Sequence, residues 1–341
     1  MNSGDILDFS SGIDKLGNYS GSERKRKLVI DNTVYMLKYP DPIRETKNNL
    51  SYINNQFSEY VGCHIYATIG IPVQKTYLGK TIYNGREFIG VACRDFRNDG
   101  LELYPIKFIH SKDPWSAGNK TRRITFEKMY EIIHYLNDPL LEKDAIDHFW
   151  KMFVVDYLIG NYDRHLENWG LTIDQQENMV PAPVYDCGSS LLALTSDEDL
   201  QKDISTRHFL GASKEIYTPF AHEDGHRLSF QEVLQNPNAD LCKAIRDVFP
   251  RINLCKIYQV IQETPFMSDI RKRAMIESIK VRYNQVLLKV YVQVVYKDLN
   301  AYEQQRIISR IKSVNNTEMR KHGYTPLPQP KSKLFRHSKI G

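Results

Sequence analysis

Asp163-Arg164-His165-Leu166-Glu167-Asn168, followed by Val184-Tyr185-Asp186-Cys187-Gly188, is the stretch on which the reading of this 341-residue chain turns. Its second Asp lies eighteen residues after the Asn. Phosphoryl transfer needs these residue types: a carboxylate to orient an attacking hydroxyl and take its proton, and a neutral amide oxygen and a second carboxylate to hold Mg2+ against nucleotide phosphates. The expectation is that Asp163 is the base and that Asn168 and Asp186 are metal ligands. Asp, Asn and Gly are also ordinary loop formers, so the company these residues keep decides the matter.

Asp163 and Asn168 are five positions apart, the Asp-to-Asn spacing of the kinase catalytic loop, and Asp186 beside a small Cys-Gly turn fits the second metal ligand. Upstream, in Tyr35-Met36-Leu37-Lys38-Tyr39-Pro40, strand alternation puts Lys38 on the face of Val34 and Met36, a poor place for a lysine without an anionic partner. Glu59 lies on the following helix, off its main apolar stripe and beside Gly62, Cys63 and Tyr66. A strand lysine, a helix glutamate and then the distant Asp, Asn and Asp is the kinase order for clamping phosphates. Ahead of the first strand, Gly17 and Gly21 flank Asn18-Tyr19-Ser20, with Ser22 next; such a loop can bring backbone N–H groups to phosphates, although it is neither G-x-G-x-x-G nor a Walker A sequence.

On either side of an Asp31-Asn32 turn, residues 25–30 and 33–40 are two β-rich runs. Phe57, Tyr60, Val61, His64, Ile65 and Thr68 then take helical spacing, with Gly70 as the stop. Two further β-rich runs flank Asn84-Gly85, a pair suited to a tight hairpin turn. Beyond Phe96 the pattern is mostly helical. The clearest helix is expected over Asp144–Gly160, and others over Asp240–Asp247, Leu254–Glu263 and Asp269–Asn300, before Pro326, Pro328 and Pro330 break regular structure. A small β-rich part followed by a larger helical one puts a crevice near residue 95.

Hydrophobic residues at 41% and charged residues at 26% describe an ordinary globular protein. The net charge of +5 comes from the end of the chain: from Arg320 on there are six Lys/Arg and no Asp/Glu, leaving 40 basic and 41 acidic residues before it. Direct nucleic-acid binding by the body is therefore not expected. Five dispersed cysteines without a C-x-x-C pair suggest neither a disulfide framework nor a zinc site. The N-terminus lacks a secretory pattern, and Val286–Tyr296, interrupted by Lys289, is too short to span a bilayer, so a cytoplasmic setting is expected. His222-Glu223-Asp224-Gly225-His226 matches H-E-x-x-H in letters only, since Asp-Gly interrupts the helix that zinc ligation requires; a polar loop is expected there. The basic tail, with Leu334 and Phe335, is read as a solvated end.

Six ordered blocks, GNYSGS, YMLKYP, FSEYVGCHIYATIGIPVQ, VACRDF, DYLIGNYDRHLENWG and VYDCGSS, between about residues 16 and 192, resemble the HipA-like serine/threonine kinases, most closely their short branch. The resemblance implies an α+β, bilobal protein-kinase-like fold: an N-lobe over 1–95, a mostly helical C-lobe over 96–319 and a basic tail over 320–341. It implies ATP and Mg2+ as cofactors, with Lys38 and Glu59 as the phosphate clamp, Val91, Cys93 and Asp95 in the hinge, and Gly17, Ser20, Gly21 and Ser22 in the phosphate loop. Asp163 is then the base, with Asn168 and Asp186 on the metal; a lipid-kinase-like reading adds His165 as a catalytic residue that shares proton transfer with Asp163. The expected substrate is a protein carrying a Ser/Thr acceptor, with self-phosphorylation at Ser20 or Ser22 as a switch. The chain lacks the extra N-terminal subdomain of the longer HipA toxins, which bears on any antitoxin-type partner. The rival readings are a phosphatidylinositol-kinase-like lipid or small-molecule kinase, because D-R-H-x-x-N resembles that loop too, and a non-catalytic partner-binding module of a toxin–antitoxin system.

Overall fold

Asp31 and Asn32 both take positive φ, 47° and 61°, the geometry that closes a two-residue hairpin without splaying its strands. In a computed structural model, which describes residues 7–9, 12–15, 24–40, 54–83, 85–109, 124–204 and 206–327, this turn is the exposed tip of a hairpin in the first lobe. That lobe comprises β1 (Ile13–Lys15), β2 (Arg24–Ile30), β3 (Thr33–Tyr39), α1 (Asn55–Ile69), β4 (Thr76–Tyr83) and β5 (Arg86–Arg94). The strands form one antiparallel sheet in the order β1-β2-β3-β5-β4. Leu37, Tyr35 and Tyr39 face a small core with Phe9, Leu28 and Ala92, which leaves Met36 and Lys38 on the opposite face.

The expected stripe of α1 is present, but the helix is buried nearly all round, Ser58, Glu59, Gly62, Cys63 and Tyr66 included. One side meets β4 and β5 while another meets the C-terminal lobe. The approach is close: a Cβ on Gly62 would lie 2.8 Å from Cys187 Cβ. Gly70, at φ 77°, closes the helix with its N–H on the Tyr66 and Ala67 carbonyls.

The second lobe follows a 3-10 turn at Phe96–Asp99. Its elements are β6 (Glu102–Pro105), α2 (Phe126–His134), α3 (Pro139–Ile159), β7 (Gly170–Ile173), β8 (Met179–Pro181), α4 (Asp197–Asp203), α5 (Arg207–Lys214), β9 (Tyr217–Ala221), β10 (Arg227–Ser229), α6 (Phe230–Gln235), α7 (Ala239–Val248), α8 (Leu254–Glu263), α9 (Asp269–Arg282), α10 (Leu288–Val295) and α11 (Ala301–Lys321). The central helix α3 begins at Pro139, ahead of the expected Asp144. Asp138 caps it through Oδ1, accepting from the Leu140 and Leu141 N–H groups, and Leu140 is exposed, so the first turn carries no apolar periodicity to read.

The expected run from Asp269 stays helical as far as Val295 and stops short of Asn300. A π-turn at Tyr283–Leu287 joins α9 to α10, α10 ends at Val295, and Asn300 is the N-cap of α11 in a capping box with Glu303. Phe149, Trp150 and Phe153 of α3 pack with Phe126, Phe220 and Phe230, the last pair of rings 4.6 Å from Phe153 to Phe230. This aromatic core holds rigid the helix whose C-terminus delivers the site. No described helix is long and apolar enough to cross a membrane.

Candidate active site

Lys38 is 4% exposed and Glu59 is sealed from solvent. Lys38 Nζ lies 2.9 Å from Glu59 Oε2 and 2.7 Å from Asp186 Oδ1, so one ammonium bridges the N-lobe helix and the C-lobe loop. A buried pair repays its desolvation only when the remaining polar atoms are satisfied. Here Glu59 Oε1 accepts from the Cys187 N–H at 3.1 Å and from Cys63 Sγ at 3.8 Å. Asp186 takes φ 57°; this left-handed turn aims both its own carboxylate and the next N–H at the clamp. Burial pushes the Asp186 carboxyl up, but Lys38, Lys25 and Arg164 together hold it far below the usual carboxylate range.

The loop after α3 is built around a buried guanidinium. Gly160, at φ 73°, ends the helix, and Arg164 Nε and Nη2 then grip Asp156 at 2.8 and 3.1 Å while its Nη1 donates to the Asn168 and Tyr185 carbonyls. Tyr66 Oη and Asn161 Nδ2 donate to the same Asp156. The next strand is fastened as well: β6 pairs with β7, and the Ile106 and Lys107 N–H groups donate to the Trp169 and Leu166 carbonyls.

Asp163 is thus displayed on a fixed loop with its side chain 45% exposed. Its Oδ2 accepts from Ser189 Oγ at 3.5 Å, and His165 Nε2 lies 3.8 Å from Oδ1. Burial of the carboxyl raises its pKa and the Asp186 charge adds to that, against the pull of His165. A raised pKa makes a better proton acceptor. Asn168 Nδ2 donates to the Asp163 carbonyl at 2.8 Å, which fixes the amide and leaves Oδ1 as its free face. Among the described residues no group of three or more His, Cys, Asp or Glu could hold a metal. An amide oxygen and one carboxylate are nonetheless a hard-oxygen pair of the kind that shares Mg2+ with phosphates and waters.

All of this opens on a cleft of about 740 Å3 between the lobes. Lys38, Asp95, Asp163, His165, Asn168 and Asp186 line it, with Glu59 behind Lys38. Val91 and Cys93 do not line it; both are fully buried in the sheet, opposite Lys38 and Met36. The Asp95 carboxylate is taken by Arg97, whose hydrogen bonds, against the effect of burial, hold it below its ordinary pKa. Gly17, Ser20, Gly21 and Ser22 lie outside the described residues, as do Asn84, Pro328, Pro330, Leu334 and Phe335.

Sequence reasoning did not single out Gln74, Phe96, Leu103, Tyr185 or Ser189, which also line the cleft, nor Arg164 and Asp156 beneath it. A charged pair at i, i+8 across a helix end was the one available signal for Arg164. His222–His226 forms the turn between β9 and β10, closed by His222 N–H to the His226 carbonyl, and its imidazoles face Glu232 and Asp224 rather than each other.

A family profile described as the HipA-like C-terminal domain matches residues 18–249. The serine/threonine-protein kinase CtkA of Helicobacter pylori is 33% identical over 279 residues, 80% of this chain and 83% of that protein. A crystal structure of a Helicobacter pylori proinflammatory kinase CtkA superposes with a TM-score of 0.75 at 29% identity, over 86% of this chain and 99% of that one. A chain from the Shewanella oneidensis complex of HipA, HipB and operator DNA gives 0.48 at 14% identity, over 85% and 69%.

Proposed function

The chain belongs to the HipA-like C-terminal domain family, and on that premise we propose that it is a serine/threonine protein kinase that moves the γ-phosphoryl group of ATP, with Mg2+, to a protein hydroxyl. The observation that carries the reading is Lys38 Nζ within 2.9 Å of Glu59 and 2.7 Å of Asp186, in a cleft that also holds Asp163 and Asn168. Phosphoryl transfer asks a protein chiefly for position and charge. Lys38, held in place by Glu59, offers its ammonium to the phosphates. Asp163 accepts the proton of the acceptor hydroxyl, and its raised pKa matches that task. Asn168 and Asp186 would hold Mg2+, which when bound supplies neutralisation of the charge developing between the β- and γ-phosphates.

The test is incubation with γ-labelled ATP and Mg2+ in the presence of a basic protein acceptor and, separately, a lipid extract. Label should appear on protein, and Asp186→Ala should cut it by about 10²-fold or more at matched Mg2+. Label confined to lipid, or a parent-like Asp186→Ala, overturns the assignment. Mass spectrometry of the incubated chain then asks whether Ser20 or Ser22 acquires phosphate.

A further inference from the structure

Gln74 lines the cleft and takes no part in the phosphate chemistry. Gln74 donates its backbone N–H to the Val184 carbonyl at 2.8 Å and its Nε2 to the Arg94 carbonyl at 2.9 Å. Val184 leads directly into Tyr185, and Arg94 leads through Asp95 into Phe96. The rings of Tyr185 and Phe96 meet edge to face with centroids 6.1 Å apart. Two hydrogen bonds therefore pin Gln74 between the two segments that bear the aromatic walls. Met36 and Leu103 line the same cleft, which gives a planar ring apolar surface to lie against.

A carbonyl oxygen only accepts, so the amide edge facing Arg94 has to be the NH2 group, and Oε1 is what Gln74 has left to present. That oxygen has no hydrogen-bond partner among the described residues, and it is not among the polar atoms sealed from solvent. Gln74 itself is 8% exposed and lines the cleft. An acceptor held in one orientation at the edge of an aromatic slot selects a ring that carries a donor.

We propose that Gln74 is a specificity-determining residue of the nucleotide site: its Oε1 accepts a hydrogen bond from the 6-amino group of adenine and rejects guanine. The inference rests on the nucleotide reading of the cleft given above. Adenine carries an N–H donor at position 6, where guanine carries a carbonyl oxygen; placed against Oε1, that oxygen leaves two acceptors facing each other with no proton between them. A site built to bond a donor discriminates strongly against an analogue that lacks it, because its own polar atom is then left unpaired.

The experiment measures kcat/KM for ATP, GTP and purine riboside triphosphate, which is ATP without the 6-amino group, for the parent, Gln74→Leu and Gln74→Met, with melting temperatures alongside. The parent should use ATP about tenfold or more better than either analogue. In whichever variant melts with the parent, the ratio of ATP to purine riboside triphosphate should collapse to within about twofold. A parent ratio near one, or a folded variant that keeps the parent ratio, overturns the role of Gln74 while leaving the kinase reading intact. A parent that transfers phosphate from no nucleoside triphosphate overturns both.

Discussion

One ammonium, that of Lys38, answers two carboxylates, and this sets what its removal does. Lys38→Met deletes the charge meant for the phosphates, but it also strands Glu59, which has no access to water. Breaking a buried pair by removing one partner costs about 3–5 kcal/mol. The single variant should therefore lose both transfer and thermal stability, and Lys38→Met with Glu59→Gln should regain melting temperature without regaining transfer. A double variant that phosphorylates like the parent would remove Lys38 from the chemistry. His165 gives a pH test. The nearby imidazole favours the ionised form of Asp163, so His165→Asn should raise the Asp163 pKa further and move the acid limb of the kcat/KM profile to higher pH. An unmoved limb would make His165 a bystander. Lys38 was legible in the sequence because a lysine on an apolar strand face is costly without an anionic partner, and Glu59, Asp163, Asn168 and Asp186 stood out by their order and spacing rather than by their types. Gln74 was not, because a glutamine after a helix is ordinary until its two hydrogen bonds place it.

At the scale of elements, the loop bearing Asp163 depends on how α3 ends. Arg282 of α9 is fully buried without a carboxylate: its Nε donates to the Leu158 carbonyl at 2.7 Å, Nη1 to the Ser213 carbonyl at 2.9 Å, and Nη2 to Ser278 Oγ at 3.0 Å. Burial lowers its pKa to about 10, which keeps it a cation at neutral pH, beside the negative end of the α3 dipole. Arg282→Met should cost roughly 1–3 kcal/mol for each carbonyl left unpaired, and it should loosen the segment that starts at Asn161. Hydrogen exchange checks this: faster exchange at residues 161–169 is expected, and unchanged protection there would confine Arg282 to global stability. The sequence announced the end of α3 through Gly160. It did not announce Arg282, whose partner lies 124 positions away.

For the whole molecule, α1 is the element through which the lobes are coupled. It packs on β4 and β5, contacts α8, and presents Glu59 to both Lys38 and the Cys187 N–H. A ligand that occupies the cleft and binds only the folded state should stabilise both lobes as one unit. Mg2+ with a non-hydrolysable ATP analogue at about 100 times Kd should add about 2.7 kcal/mol, seen as a rise in a single melting transition. The nucleotide without Mg2+ should give less. Two transitions, of which only one moves, would show that the lobes melt separately.

Local pattern was enough for the hairpin at Asp31-Asn32, for α1 through its spacing and Gly70, for most of α3 through its stripe, and for a candidate set of acid, amide and lysine through their order along the chain. These are short-range properties, written in neighbouring residues. What long-range pairing controls became visible only in the folded chain. That includes the β6–β7 seam behind the Asp163 loop, the π-turn within the long C-terminal helical run, the burial of Val91 and Cys93 inside the sheet, and the orientation of Gln74. Which face of a strand meets the cleft, and which end of an amide remains free, depends on partners far away in the chain. No local pattern encodes them.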